Sequence, residues 1–191
     1  QHHKKDIDWK SIFLFWGDER CVLPTDEQSN YKMTKDYLLD HVAIPERNVF
    51  RIKGENDPVA EAQRYSTLLQ MEVETADAVP SFDLVILGLG DDGHTASIFP
   101  HEIDLWESVD LCVVGTHPDS GQKRISLSGK VINHAQRVAF LVTGAAKAEK
   151  VKQVIESGKE VAAVYPAAKV NPLTRDLVWF LDKEAACLLE K

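Results

Sequence analysis

The 191-residue sequence predicts an α/β fold: a mainly parallel, twisted sheet with helices on both faces, Rossmann-like in architecture. Three observations predict it. Short strand-like apolar runs alternate with helix-like segments along the chain. Residues 82–87, FDLVIL, are partly β-branched and closed by glycine, as a strand buried on both faces of a parallel sheet reads. Gly88, Gly90 and Gly93 then turn the chain sharply around Asp91, Asp92 and His94, where open α/β sheets bind ligands, outside the carboxyl ends of their strands.

The elements follow in order. Residues 1–10 form a polar N-terminal segment containing His2 and His3, and residues 11–191 read as one domain, because no linker divides them. Residues 11–16 are a strand by composition, with Gly17, Asp18, Glu19 and Arg20 in the loop at its carboxyl end; taken alone, that loop is a solvated charged turn. Ser29 is an N-cap for a helix from Asn30 to about His41, with Tyr31, Thr34 and Leu38 near one face. Residues 49–52 form a short strand. Asp57 and Pro58 open a helix to about Glu74, with Val59, Ala62, Leu69 and Val73 at helical spacing. Residues 101–108 are loop or broken helix, and residues 111–114 a buried strand. Residues 124–128 are an alternating strand, 129–135 a short helix, 137–143 a strand and 144–157 a helix. Residues 177–181 form the last strand, and Asp182 caps a closing helix over 182–190.

Composition narrows the function. A hydrophobic share of 44% is ordinary for a globular protein, and a formal charge of −8 provides no basic face for nucleic acid or an anionic membrane. No apolar run approaches the ~20 residues that span a bilayer. The expectation is a soluble, cytoplasmic protein. Cys21, Cys112 and Cys187 form no CxxC pair and read as buried, reduced thiols. The histidines lack metal-ligand spacing and no phosphate loop ending in Gly-Lys-Ser/Thr is present, so neither a metal nor another cofactor is expected.

The spacing of Gly88, Gly90 and Gly93 also fits a dinucleotide fingerprint, which requires a helix running on from the third glycine and an acid about 20 residues later. Pro100 limits any helix to about one turn, and the next strand ends in Gly115-Thr116-His117 without an acid. Residues 88–97, GLGDDGHTAS, and residues 16–20, WGDER, followed by Ser29-Asn30-Tyr31, instead resemble two signatures of the 6-phosphogluconolactonase family. Its superfamily also holds glucosamine-6-phosphate deaminase. The resemblance runs over nearly the whole chain from Ile12 onward. It implies hydrolysis of a small phosphorylated sugar lactone, with Asp18 and Arg20 facing the sugar and Asn30 and Gly90 among the substrate-binding positions. It also makes Lys147, in the run TGAAKAE, the match to a phosphate-contacting residue.

The chemistry of the residues agrees. Lactone hydrolysis requires a base for water and donors for the carbonyl oxygen. Histidine ordinarily titrates near neutrality, so His94 is the natural base, and Asp92 can hydrogen-bond one of its ring nitrogens. Arg124 and Lys147 would hold the phosphate by charge-assisted hydrogen bonds, with Lys123 a weaker third. Lys147 sits in the first turn of its expected helix, where the dipole disfavours a cation; a bound phosphate would resolve the mismatch. Thr95 and Ser97 are expected to cap the helical turn that follows, and no Gly-x-Ser-x-Gly elbow points to a serine nucleophile.

The family normally begins with a further strand and a Ser-Gly-Gly-Ser/Thr loop, which this sequence does not contain. A sheet lacking that first strand would leave an edge and apolar surface uncovered, so a monomer or weak homo-oligomer is expected. Two alternatives stay open: an amino-sugar phosphate deaminase or isomerase, disfavoured by residues 16–20, and a non-catalytic sugar-phosphate binder.

Overall fold

The computed structural model describes residues 3–156 and 158–190. Gln1, His2, Ser157 at the end of the expected helix 144–157, and Lys191 lie outside the described residues. The strands are β1 (Leu14–Phe15), β2 (Asp18–Arg20), β3 (Val49–Phe50), β4 (Thr75–Ala76), β5 (Val79–Pro80), β6 (Val85–Leu87), β7 (Cys112–Thr116), β8 (Lys123–Leu127), β9 (Val138–Val142) and β10 (Leu177–Leu181). The longer helices are α1 (Asn30–Tyr37), α2 (Pro58–Glu72), α3 (Gly129–Asn133) and α4 (Ala148–Glu156). The α/β architecture is the one expected. Strands β10, β9 and β6 form a parallel sheet, and β1 pairs in parallel with β3. A second three-stranded sheet, β2-β8-β7, is antiparallel.

Local signals set the helix starts. The Ser29 side chain accepts from the Lys32 N–H at 3.1 Å, and Asp57 accepts from the Ala60 N–H at 3.0 Å with Pro58 in the first turn. The buried stripe of α2 is Glu61, Ala62, Tyr65 and Leu69, whereas Val59, in the first turn and to the side of that stripe, is exposed. Tyr65 ties layers together: its hydroxyl accepts from the Trp16 N–H at 2.9 Å and lies 3.1 Å from the Trp16 carbonyl and 3.2 Å from that of Phe50. Phe140 and Trp179, opposite each other on β9 and β10, stack at 4.0 Å between ring centroids.

Several expectations are corrected. Within the segment 17–20, Asp18–Arg20 is a strand with a buried glutamate, not a solvated turn. A hairpin, β4-β5, precedes β6; Asp77 and Ala78 turn it in left-handed conformations without glycine, which hid it from a reading based on glycine. The segment 182–190 makes turns rather than a helix, although Asp182 accepts from the Ala185 N–H at 2.7 Å as an opening cap would. Cys21 is half-buried and Cys112 buried, with burial first among the causes that push their thiols up to about 11 and about 12, whereas Cys187 is exposed.

The central strand is not buried on both faces. Val85 and Leu87 are buried, but Ile86 is 64% exposed, and the register places it on the same face as Leu141 at 60% and Phe180 at 57%. That apolar face is open to solvent. Among the described residues no helix is long and apolar enough to cross a membrane.

Candidate active site

A cleft of about 400 Å³ opens at the carboxyl end of β6, lined by residues from β2, α1, β8 and the turn before α4. Strand alternation aims the side chains. On β2, Asp18 and Arg20 share one face and line the cleft, while Glu19 points the other way and is 2% exposed. Glu19 accepts from the N–H groups of Asn30 at 2.7 Å and Tyr31 at 2.8 Å and from the Ser29 hydroxyl at 3.0 Å, so a buried carboxylate anchors the start of α1. Asn30 is thereby delivered to the cleft, where its Oδ1 accepts from Arg20 at 2.7 Å and its Nδ2 donates to the Asp18 carbonyl at 2.9 Å.

The antiparallel register puts Arg124 directly opposite Arg20. Like charges at such positions repel. Burial first, and then the Arg20 guanidinium, push Arg124 below its ordinary range, with Asp18 opposing them. Among the described residues, the buried Nε atoms of both arginines have no hydrogen-bond partner. Two guanidiniums facing one cleft with donors to spare suit an anion. Lys123, one position earlier on β8, falls on the opposite face and donates to the Thr116 hydroxyl at 2.8 Å; it does not line the cleft.

The glycine turn builds the reactive pair. The Gly90 N–H donates to the His94 carbonyl at 2.9 Å and the Gly93 N–H to the Gly90 carbonyl at 3.0 Å, with Gly93 at φ +88°. A Cβ on Gly90 would lie 2.1 Å from His94 Nδ1, so the absence of a side chain there lets the imidazole seat. His94 Nδ1 is 2.6 Å from Asp92 Oδ1, and the His94 backbone N–H donates to the same oxygen at 3.0 Å. Burial favours protonated Asp92, but the backbone N–H, charge and ring hydrogen bond of His94 together outweigh it and hold the carboxyl below its ordinary value. An ionised carboxylate only accepts, so Nδ1 carries the proton and Nε2 is left as the basic nitrogen.

Ser97 and Thr95 act differently from expectation. Ala96 takes a left-handed φ of 48° in a tight Thr95–Ile98 turn, and the 3-10 helix that follows, Pro100–Glu107, has Phe99 at its N-cap and no side-chain cap, so neither residue caps it. Thr95 donates to the Gly88 carbonyl at 2.9 Å, closing the turn. Ser97 donates to Asp18 Oδ2 at 2.6 Å, and its N–H donates to the Ser126 hydroxyl at 3.1 Å. Ser97 thus joins the glycine turn to β2 and β8, a role that no local pattern signals. The ring of buried Phe99 lies 4.7 Å from the His94 ring, and the Arg124 guanidinium lies 5.5 Å from the Phe99 centroid. Lys147 ends a 3-10 turn (Ala145–Lys147) before α4 and pairs with Asp91 at 2.5 Å.

Of the expected site residues, Asp18, Arg20, Asn30, Gly90, His94, Arg124 and Lys147 line one cleft, Asp92 is bonded to His94, and Lys123 stands apart. Fold and cleft define an α/β protein with an imidazole–carboxylate pair beside three cations at the carboxyl edge of a parallel strand. The chain belongs to the family described as Glucosamine-6-phosphate isomerases/6-phosphogluconolactonase, which matches residues 1–179. The 6-phosphogluconolactonase of Treponema pallidum is 44% identical over 187 residues, covering 98% of this chain and 71% of that protein. The crystal structure of devB protein is similar at a TM-score of 0.91 and 42% identity, covering 100% of this chain and 79% of that one. The structure of 6-phosphogluconolactonase from Trypanosoma brucei is similar at a TM-score of 0.81 and 29% identity, covering 92% and 73%.

Proposed function

We propose that this chain hydrolyses 6-phospho-D-glucono-1,5-lactone to 6-phosphogluconate, a step of the oxidative pentose phosphate route, by water activated at His94. The observation that supports it most is the His94–Asp92 pair in one cleft with Arg20, Arg124 and Lys147: a base beside an anion cradle. His94 Nε2 takes a proton from water as the water oxygen bonds to the lactone carbonyl carbon, and Asp92 stabilises the resulting imidazolium. Negative charge develops on the carbonyl oxygen, and the Arg20 guanidinium offsets it. Collapse of the tetrahedral intermediate breaks the ring C–O bond, and the imidazolium returns its proton to the departing ring oxygen. Arg124 and Lys147 hold the phosphate away from the reacting centre. On this reading residues 11–191 act as one domain in a cytoplasmic monomer or weak homo-oligomer, which light scattering on the purified chain would test.

The test of the activity is hydrolysis of freshly generated lactone by the wild type and by His94→Ala, with spontaneous opening subtracted. Loss of the base should lower the rate about 10²- to 10⁴-fold. A wild-type rate equal to the uncatalysed one would sink the proposal. Ammonia release from glucosamine 6-phosphate would mark a deaminase instead, and binding of 6-phosphogluconate without turnover a binder.

A further inference from the structure

The turn at residues 90–94 carries two adjacent aspartates with different partners. Asp92 is committed to His94. Asp91 reaches across the mouth of the cleft to Lys147, 56 positions away in sequence, with its Oδ1 2.5 Å from Nζ. The Asp91 side chain is 83% exposed and that of Lys147 25%, and both residues line the cleft. The cation that suits a phosphate therefore already holds a carboxylate. The nearest turn offers no other relief, because the Gly144 N–H that precedes it donates to Asp182 at 3.0 Å.

We propose that Asp91 is a tethered competitor for Lys147, an internal anion that the substrate's phosphate must displace and that recaptures the lysine when product leaves. The inference rests on Lys147 being a phosphate ligand, as in the proposed function. The physical case is a comparison of two anions. An exposed ion pair is worth little, so displacing it costs at most about fivefold in affinity. A phosphate monoester carries about −1.5 to −2 charges near neutral pH and three acceptor oxygens, so it outcompetes one carboxylate. Hydrolysis adds a second anionic group to the product, because the opened lactone is itself a carboxylate. A phosphate site without a brake would retain that more highly charged molecule. Asp91 lowers phosphate affinity in both directions and so favours release, while a lactone without phosphate never displaces it.

The experiment is calorimetric titration of 6-phosphogluconate, with inorganic phosphate as second probe, into the wild type, Asp91→Asn, Lys147→Ala and the double variant, alongside lactone kinetics. Asp91→Asn should tighten 6-phosphogluconate about 2- to 5-fold and lower KM for the phosphorylated lactone, raising its kcat/KM relative to that of unphosphorylated gluconolactone. The gain should vanish when Lys147 is alanine, because the competitor then has nothing to hold. Weaker binding in Asp91→Asn would overturn the proposal, showing that Asp91 pre-positions the lysine. An equal gain with and without Lys147 would also overturn it, since Asp91 would then act only by general repulsion. A wild type that binds 6-phosphogluconate but does not open the lactone removes the proposed activity and leaves the titrations to decide this point. A wild type that binds neither probe removes the phosphate site and the inference with it.

Discussion

The parallel sheet β10-β9-β6 and the antiparallel sheet β7-β8-β2 both supply the cleft, and they do so by different means. The parallel sheet contributes through the end of a strand: β6 stops, and the glycine turn beyond it holds His94 and Asp92 by contacts within five residues. The antiparallel sheet contributes through the flanks of its strands. There the register sets Arg124 opposite Arg20 and Ser126 opposite Asp18, and alternation decides which side chains reach the cleft. For the proposed activity, a turn suits the group that would exchange protons, because its geometry is closed locally. A ladder suits groups that would grip a rigid anion, because the register fixes each against its partner strand.

That contrast predicts which changes alter rate and which alter binding. Gly90→Ala should act on the turn alone. The new methyl collides with the imidazole, and a reacting group misplaced by about 1 Å loses on the order of 10²-fold in kcat. Stopped-flow assay of the lactone reaction checks this, and an unchanged kcat would show that the turn can yield without moving His94. Arg124→Ala should act on the ladder, raising KM for the phosphorylated lactone about 10-fold or more with a smaller change in kcat. Lys123→Ala, one residue away on the other face, should change KM by less than about twofold. Equal effects of the two would mean that alternation does not select the phosphate ligand.

The smallest expected effect concerns pH. The folded state holds the Asp92 carboxyl below its ordinary 3.8, so ionised Asp92 contributes stability above that value and loses it as pH falls through the lower, folded value. Asp92→Asn should therefore be less stable than the wild type near neutrality, with the gap closing below pH about 3.8. Urea melts at several pH values would show it, and a gap that widened in acid would contradict the assigned direction.

Much of the turn was legible in the sequence, and little of the ladder. The glycine spacing and the Asp-x-His pattern announce a local structure, so His94, Asp92 and Gly90 are found where expected. Arg124 was found as a cation on an alternating strand, but alternation alone does not tell which of two neighbouring basic residues faces inward; only pairing with β2 turns Arg124 in and Lys123 out. Asp91 was visible as an acid in the glycine turn, yet its partner lies on another element. The open face bearing Ile86, Leu141 and Phe180 shows the same limit from the opposite side, since an apolar run reports what a strand can bury and not what covers it.

By itself the sequence determined the caps at Ser29 and Asp57, the start of α2 at Pro58, the glycine turn and its acid–imidazole pair. Each depends on hydrogen bonds reaching no more than seven residues, within range of local geometry. Tertiary structure alone decided the antiparallel register that opposes Arg20 and Arg124, the Ser97–Asp18 bond between residues 79 positions apart, the burial of Glu19 beneath α1 and the ion pair that occupies Lys147. Those depend on which distant segments become neighbours, and that is settled by packing of the whole chain rather than by any stretch of it.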